Sequence, residues 1–150
     1  MLHQTTEYLV NNRRIIKLHE NMLKDICEEY GLSLTEATII SFLHNNPEKD
    51  TAADIAELRM LSKGIVSQSV ESLIQKSFLR RQQDASDRRK IHLFLLPYAL
   101  PITKSIERIQ KTLHAEIFAG LSETEQELFR QLHHRIIENT KTAMNRRNHQ

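Results

Sequence analysis

Asp87, Arg88, Arg89 and Lys90 close a polar, turn-forming segment, residues 82–89 and the lysine after it, between two short runs of β-compatible residues, 78–81 and 91–95. Cationic side chains at a hairpin tip suit the phosphates of a polyanion, and an ordinary surface salt bridge is the alternative. Upstream, Ser62, Lys63, Gly64, Ser67 and Gln68, with Ser69 as a further candidate, open an apolar-periodic segment. Most of these side chains are short, and Ser and Gln both donate and accept hydrogen bonds. The two segments share one electrostatic setting. Residues 59–90 hold eight Lys or Arg against three acids (Glu71, Asp84, Asp87), a local +5, while the rest of the chain carries 13 basic and 16 acidic residues. The formal net charge of +2 hides this segregation. It marks either a face for a polyanion or a solvated basic surface with no partner.

The elements that must position these residues are mostly helical. A chain of 150 residues with only 3 Gly and 3 Pro is expected to form one domain dominated by long helices, with a β-sandwich excluded. From Tyr8 to Tyr30 apolar residues follow two adjoining helical stripes, Leu9, Ile16, Leu23, Tyr30 and Ile15, Leu18, Met22, Ile26. That face is broad enough for a core and a second contact, and Gly31 reads as the helix stop. Ser33 with Glu36 forms a capping box for a helix to about His44, with Ile39, Ile40, Phe42 and Leu43 inward. Thr51 and Asp54 cap a helix of scarcely two turns, with Ile55 and Leu58 facing the core. A tight connection leads to Ser62, the N-cap of a helix to about Lys76 carrying Ile65, Val66, Val70, Leu73 and Ile74. Two short helices joined by such a turn describe a helix-turn-helix. The β-compatible runs then form a two-stranded ribbon with a charged tip. Ile102, Ile106, Ile109, Leu113 and Ile117 mark a long helix that Pro97 and Pro101 confine to start near them. Ser122 with Glu125 caps a last helix holding Leu128, Phe129, Leu132, Ile136 and Ile137, with residues 145–150 expected to fray.

In this order and spacing the chain resembles the MarR family of winged helix-turn-helix transcription factors. The resemblance rests on Asp54-Ile-Ala-Glu-Leu58, Leu61-Ser-Lys-Gly-Ile-Val-Ser-Gln-Ser-Val-Glu-Ser-Leu73 and Phe78-Leu-Arg-Arg81. It continues through Asp84-Ala-Ser-Asp-Arg-Arg-Lys90, Ile91-His-Leu-Phe-Leu-Leu96 and Leu121-Ser-Glu-Thr-Glu-Gln-Glu-Leu128. It spans roughly residues 8–140, and Asp87-x-Arg89 is its most specific piece. The implied fold class is mainly α with a small two- or three-stranded β wing, a single domain over 1–150. Its DNA-binding lobe would occupy about 33–96, and dimerisation helices 1–30 and 98–145. Where relatives carry Gly before the recognition helix and before the first wing strand, this chain has Met60 and Ser77, which must pay for any positive φ. Gln68 stands where many relatives have Arg; glutamine suits an adenine edge, so the relatives' operator sequence does not transfer.

The resemblance implies a regulator, expected to be a repressor, that binds a palindromic operator on double-stranded DNA as a homodimer. Ser62, Lys63, Gly64, Ser67 and Gln68 would face the major groove, with Lys63 on a phosphate. Arg89 would enter the minor groove while Asp87 holds its guanidinium or braces the hairpin, and Arg88 and Lys90 would meet phosphates. Release by a small aromatic or anionic effector is part of the same expectation. Two alternatives stand beside it: a winged-helix module that binds an acidic protein, and a redox-sensing regulator acting through Cys27. The neighbouring Asp25, Glu28 and Glu29 would raise that thiol's pKa, which favours an inert buried cysteine. No metal site is expected: adjacent His133 and His134 point to different helix faces, and Thr38 occupies the position where zinc-sensing relatives carry His. No cofactor or enzymatic activity is expected, because glycine-rich phosphate loops, nucleophile elbows and HExxH pairs are all missing from the sequence. One cysteine, no apolar run long enough to span a bilayer and no signal-peptide pattern at the N-terminus lead to an expectation of a cytoplasmic protein.

Overall fold

The computed structural model describes residues 1–149. Its contacts divide into two units, Met1–Leu113 and a second from His114 onward. The first unit opens with helix α1, Gln4–Tyr30. Helices α2 (Leu34–Asn45), α3 (Ala52–Leu58) and α4 (Lys63–Gln75) follow. Strands β1 (Leu79–Gln83) and β2 (Ile91–Leu95) pair antiparallel, with Gln83 opposite Ile91 and Leu79 opposite Leu95. A single 3-10 turn, Pro97–Ala99, leads into α5, Leu100–Ile117, which accommodates Pro101 in its first turn. The last helix, α6, runs Glu123–Asn148. The mainly α winged-helix class holds, and the wing sheet has two strands.

Local chemistry accounts for the helix starts. Ser33, Thr51 and Ser122 each accept from the N3 backbone while Glu36, Asp54 and Glu125 reach back to the N-cap amide. Ser62 caps α4 through its hydroxyl, accepting from the Ile65 amide at 3.2 Å. Three helix ends share one device. Leu32, Leu61 and Phe78 donate to the carbonyls of Cys27, Ala56 and Leu73, each at about 3 Å, closing a bond back across five residues. The residue before each donor is left-handed: Gly31 at φ 64°, Met60 at 54° and Ser77 at 67°. The chain therefore adopts a positive φ at Met60 and Ser77 without the freedom of glycine.

The core of the first unit gathers Leu23 and Ile26 of α1, Ile39 and Ile40 of α2, Ile55 of α3, Val66, Val70 and Leu73 of α4, Leu79 and Leu93 of the ribbon, and Ile102 and Ile106 of α5. Two expectations are corrected, the burial of Leu58 and fraying from residue 145. Leu58 is half exposed, because α3 ends there and turns it outward, and Ile65 lies off the buried stripe of Val66, Ser69, Val70 and Leu73. The upper part of α1 leaves Leu9 and Ile16 exposed, so only its last two turns join the core. The C-terminal helix persists through Asn148 where fraying from 145 was expected, Gln150 lying outside the described residues; the Lys141 pair with Glu138 and the cations Arg146 and Arg147 in the last turn favour it. In the second unit Phe118 packs edge-on against Phe129 with ring centroids 5.2 Å apart, and Phe129 stacks on His133. No residue of α6 among those described is buried. No helix is long and apolar enough to cross a membrane among the described residues.

Candidate nucleic-acid interface

The first turns of α4 present Lys63, Gly64, Ser67 and Gln68 to solvent, with Val66 and Val70 turned into the core. Ser62 is exposed but its hydroxyl accepts the Ile65 amide, leaving the hydroxyl proton as its free donor. Ser69 is only 9% exposed, on the stripe with Val66 and Leu73, and is withdrawn as a surface candidate. Ile65 takes a place there that its apolar character concealed. It is 47% exposed and three positions before Gln68 on the same flank of the helix. Gly64 has no neighbouring atom within 4 Å of an added Cβ and does not adopt a positive φ, so nothing in the lobe itself demands glycine.

The ribbon is organised by carboxylates. Asp84 Oδ2 accepts from the Ser86 amide and hydroxyl, both at 3.0 Å, and from the Asp87 amide at 2.9 Å. The Asp84 amide donates to the Lys90 carbonyl at 2.9 Å and the Lys90 amide to the Asp87 carbonyl at 3.1 Å, which closes the tip. Asp87 Oδ1 accepts the Arg89 amide at 3.0 Å, while the Arg89 Nε lies 3.8 Å away. Of the two roles open to Asp87, bracing the hairpin dominates. The Arg89 side chain is 96% exposed. Arg88 is anchored by its carbonyl, which accepts from Gln83 Nε2 at 3.0 Å, so its guanidinium and the Lys90 ammonium project outward. At the foot of the wing Arg81 pairs with Glu71 of α4, and Arg80 lies over the Phe94 ring at 4.5 Å.

Three residues of this architecture carried no local signal as a group. His92 Nδ1 lies 2.7 Å from Asp50 Oδ1 and its Nε2 lies 2.7 Å from Asp84 Oδ1. Hydrogen bonds that the ring donates to Asp84 and then to Asp50 push the imidazole above its ordinary pKa. Those from His92, then from the Asp87 and Ser86 amides, hold Asp84 far below the usual carboxylate range. Asp84 alone could have been suspected from the Asp-x-Ser-Asp turn pattern.

Cys27 is half-buried, and burial first, then Glu36 and Glu28, raise its thiol pKa. That opposes the thiolate a redox sensor requires.

Helix-turn-helix, ribbon with a cationic tip and flanking long helices together define a winged helix-turn-helix protein. Residues 30–90 match the MarR family model. The fold is shared with the transcriptional regulator PA3341 at a TM-score of 0.78, 22% identical over 93% of this chain and 99% of that one. It is shared too with a MarR-family transcriptional regulator from Silicibacter pomeroyi, TM-score 0.71, 20% identical over 89% and 88% of the respective chains. A third likeness is to MepR of S. aureus in a complex with DNA, TM-score 0.56, 19% identical over 85% and 96%.

Proposed function

We propose that this chain is a sequence-specific transcriptional regulator that grips duplex DNA as a homodimer, α4 in the major groove and the wing in the flanking minor groove. The observation that carries the reading is the exposed Arg89 side chain held at a braced wing tip on the same lobe as the exposed start of α4. A projecting guanidinium, 96% exposed and paired only loosely with Asp87 at 3.8 Å, fits the negative potential of a narrow minor groove. The S. aureus MepR–DNA complex, a structural neighbour, is in keeping with it.

One recognition helix reads only a few base pairs, so two copies on half-sites about one turn, ~10 bp, apart complete a palindromic operator. The lobe 33–96 reads DNA in this account, and segments 1–30 and 98–145 join the chains. Leu128, Phe129, Leu132, Ile136 and Ile137 of α6, all exposed, are the apolar surface such pairing would cover. The regulator acts as a repressor in the cytoplasm, released by an effector. A cleft of about 380 Å³ lined by Tyr30, Phe78, Tyr98, Pro97, Pro101 and Glu29 suits an aromatic molecule, and the Glu29 carboxylate disfavours an anionic one.

A titration of promoter fragments at rising salt tests the reading. Operator affinity should fall linearly on logarithmic axes, by about 0.9 per phosphate neutralised, and exceed that for random duplex. Equal affinity for all duplexes would leave the protein-binding alternative in its place.

A further inference from the structure

Outside the residues that would touch DNA, His92 holds an unusual station. It lies on β2, one residue in from the turn end of the ribbon, its side chain 22% exposed, between Asp50 at 17% and Asp84 at 22%. Carboxylates only accept hydrogen bonds, and a neutral imidazole donates from one nitrogen alone. Both contacts are satisfied together only by the imidazolium. The elements so joined are distinct. Asp50 belongs to the connection between α2 and α3, just ahead of the Thr51 cap, and its carbonyl also accepts the Leu93 amide of β2 at 2.8 Å. Asp84 belongs to the wing tip, where its other oxygen sets the turn that presents Asp87, Arg88 and Arg89.

A two-stranded ribbon is marginal by itself, and its direction depends on contacts that tie its outer end to the rest of the lobe. We propose that His92 is a positioning residue for DNA contact, tying the wing tip through Asp84 to the helix-turn-helix through Asp50. The inference rests on the DNA-binding reading above. A tip arginine displaced by even about 1 Å loses its fit to a groove, so the bridge acts on affinity without touching DNA. The charges acting on the ring are Asp84 and Asp50; its cross-strand partner on β1, Gln82, is neutral. A histidine whose pKa is raised on folding contributes while protonated, and the contribution fades as pH rises through that raised value. Operator affinity should fall over that window beyond the general decline expected of a cationic protein.

Full-length wild type, His92→Leu, Asp50→Asn and Arg89→Ala are titrated with one operator fragment from about pH 6 to about pH 9. Helicity and melting are followed alongside. His92→Leu should bind about fivefold to tenfold more weakly at the low end, converge on wild type at the high end and keep its helices. Asp50→Asn lets a neutral ring donate to Asp84 and accept from the amide, so it should retain affinity and flatten the pH profile. If the leucine variant does not fold, that flattening carries the test. A wild-type profile in either bridge variant overturns the role of His92. Loss in both bridge variants without the pH signature reduces the bridge to a structural contact and overturns it too. Arg89→Ala reports separately on the wing's contact with DNA: no change there removes the parent reading, whereas loss there with unchanged bridge variants removes only the inference about His92.

Discussion

Lys76 donates to both carboxylate oxygens of Glu36, at 3.0 and 2.9 Å, although one closes α4 and the other opens α2. The same ammonium donates to the Gly31 carbonyl at 2.8 Å, and Ser72 donates to Glu36 at 3.0 Å. Glu36 is only 5% exposed, so the ends of α2 and α4 meet on one nearly buried carboxylate, and the end of α1 joins them through the lysine. Burial pushes its pKa up, but the Ser33 amide, Lys76 and Ser72 outweigh it and hold Glu36 below its ordinary value. Removing the cation strands the anion, which is costlier than losing the pair. Lys76→Met should destabilise by about 2–3 kcal/mol, less than a fully buried pair because the lysine reaches solvent. A carboxylate with lowered pKa contributes above its unfolded value and loses that contribution as pH falls through the folded one. Urea midpoints should therefore drop below about pH 4 in wild type and flatten there in Glu36→Gln; identical acid profiles would refute it.

Ser77 and Met60 hold left-handed backbone at helix ends without the freedom of glycine. Ser77→Gly relieves a strain of about 1–2 kcal/mol and loosens the unfolded chain, for a net gain of roughly 0.5–1 kcal/mol. Met60→Gly should act likewise, its side chain being 81% exposed with little packing to lose. Thermal melts check both, and a fall in Tm for either would contradict the assignment.

Gly64 separates stability from function. Its place in the first turn of α4 is open to a methyl group, so Gly64→Ala should stabilise the protein by up to about 1 kcal/mol. If the backbone approaches DNA there, the same change should weaken operator binding. A variant that is more stable and binds equally well would move the DNA path away from the start of α4.

What the residues disclosed in advance follows a physical division. Ser33–Glu36, Thr51–Asp54 and Ser122–Glu125 act within four residues, so their capping boxes stand in the sequence as in the structure. The Asp87–Arg89 tip is equally local, although its two possible uses could be separated only by seeing the Arg89 amide on the carboxylate. Helix faces were harder. Leu58 and Ile65 are apolar yet exposed, and Ser69 is polar yet buried, because residue type does not fix angle at the edge of a stripe. The Asp50–His92–Asp84 bridge stayed hidden for another reason. Its ends lie in separate elements, and only the fold brings them to one ring.

The most direct measurement is the affinity of Arg89→Ala for an operator fragment beside wild type, with helicity confirming an intact fold. The Arg89 side chain is 96% exposed and, among the described residues, pairs only with Asp87 in its own turn, so its loss should leave stability within about 0.5 kcal/mol. Binding should weaken by about tenfold or more. Equal affinity of the two proteins for the same fragment would contradict the account, because the wing would then have no part in holding DNA.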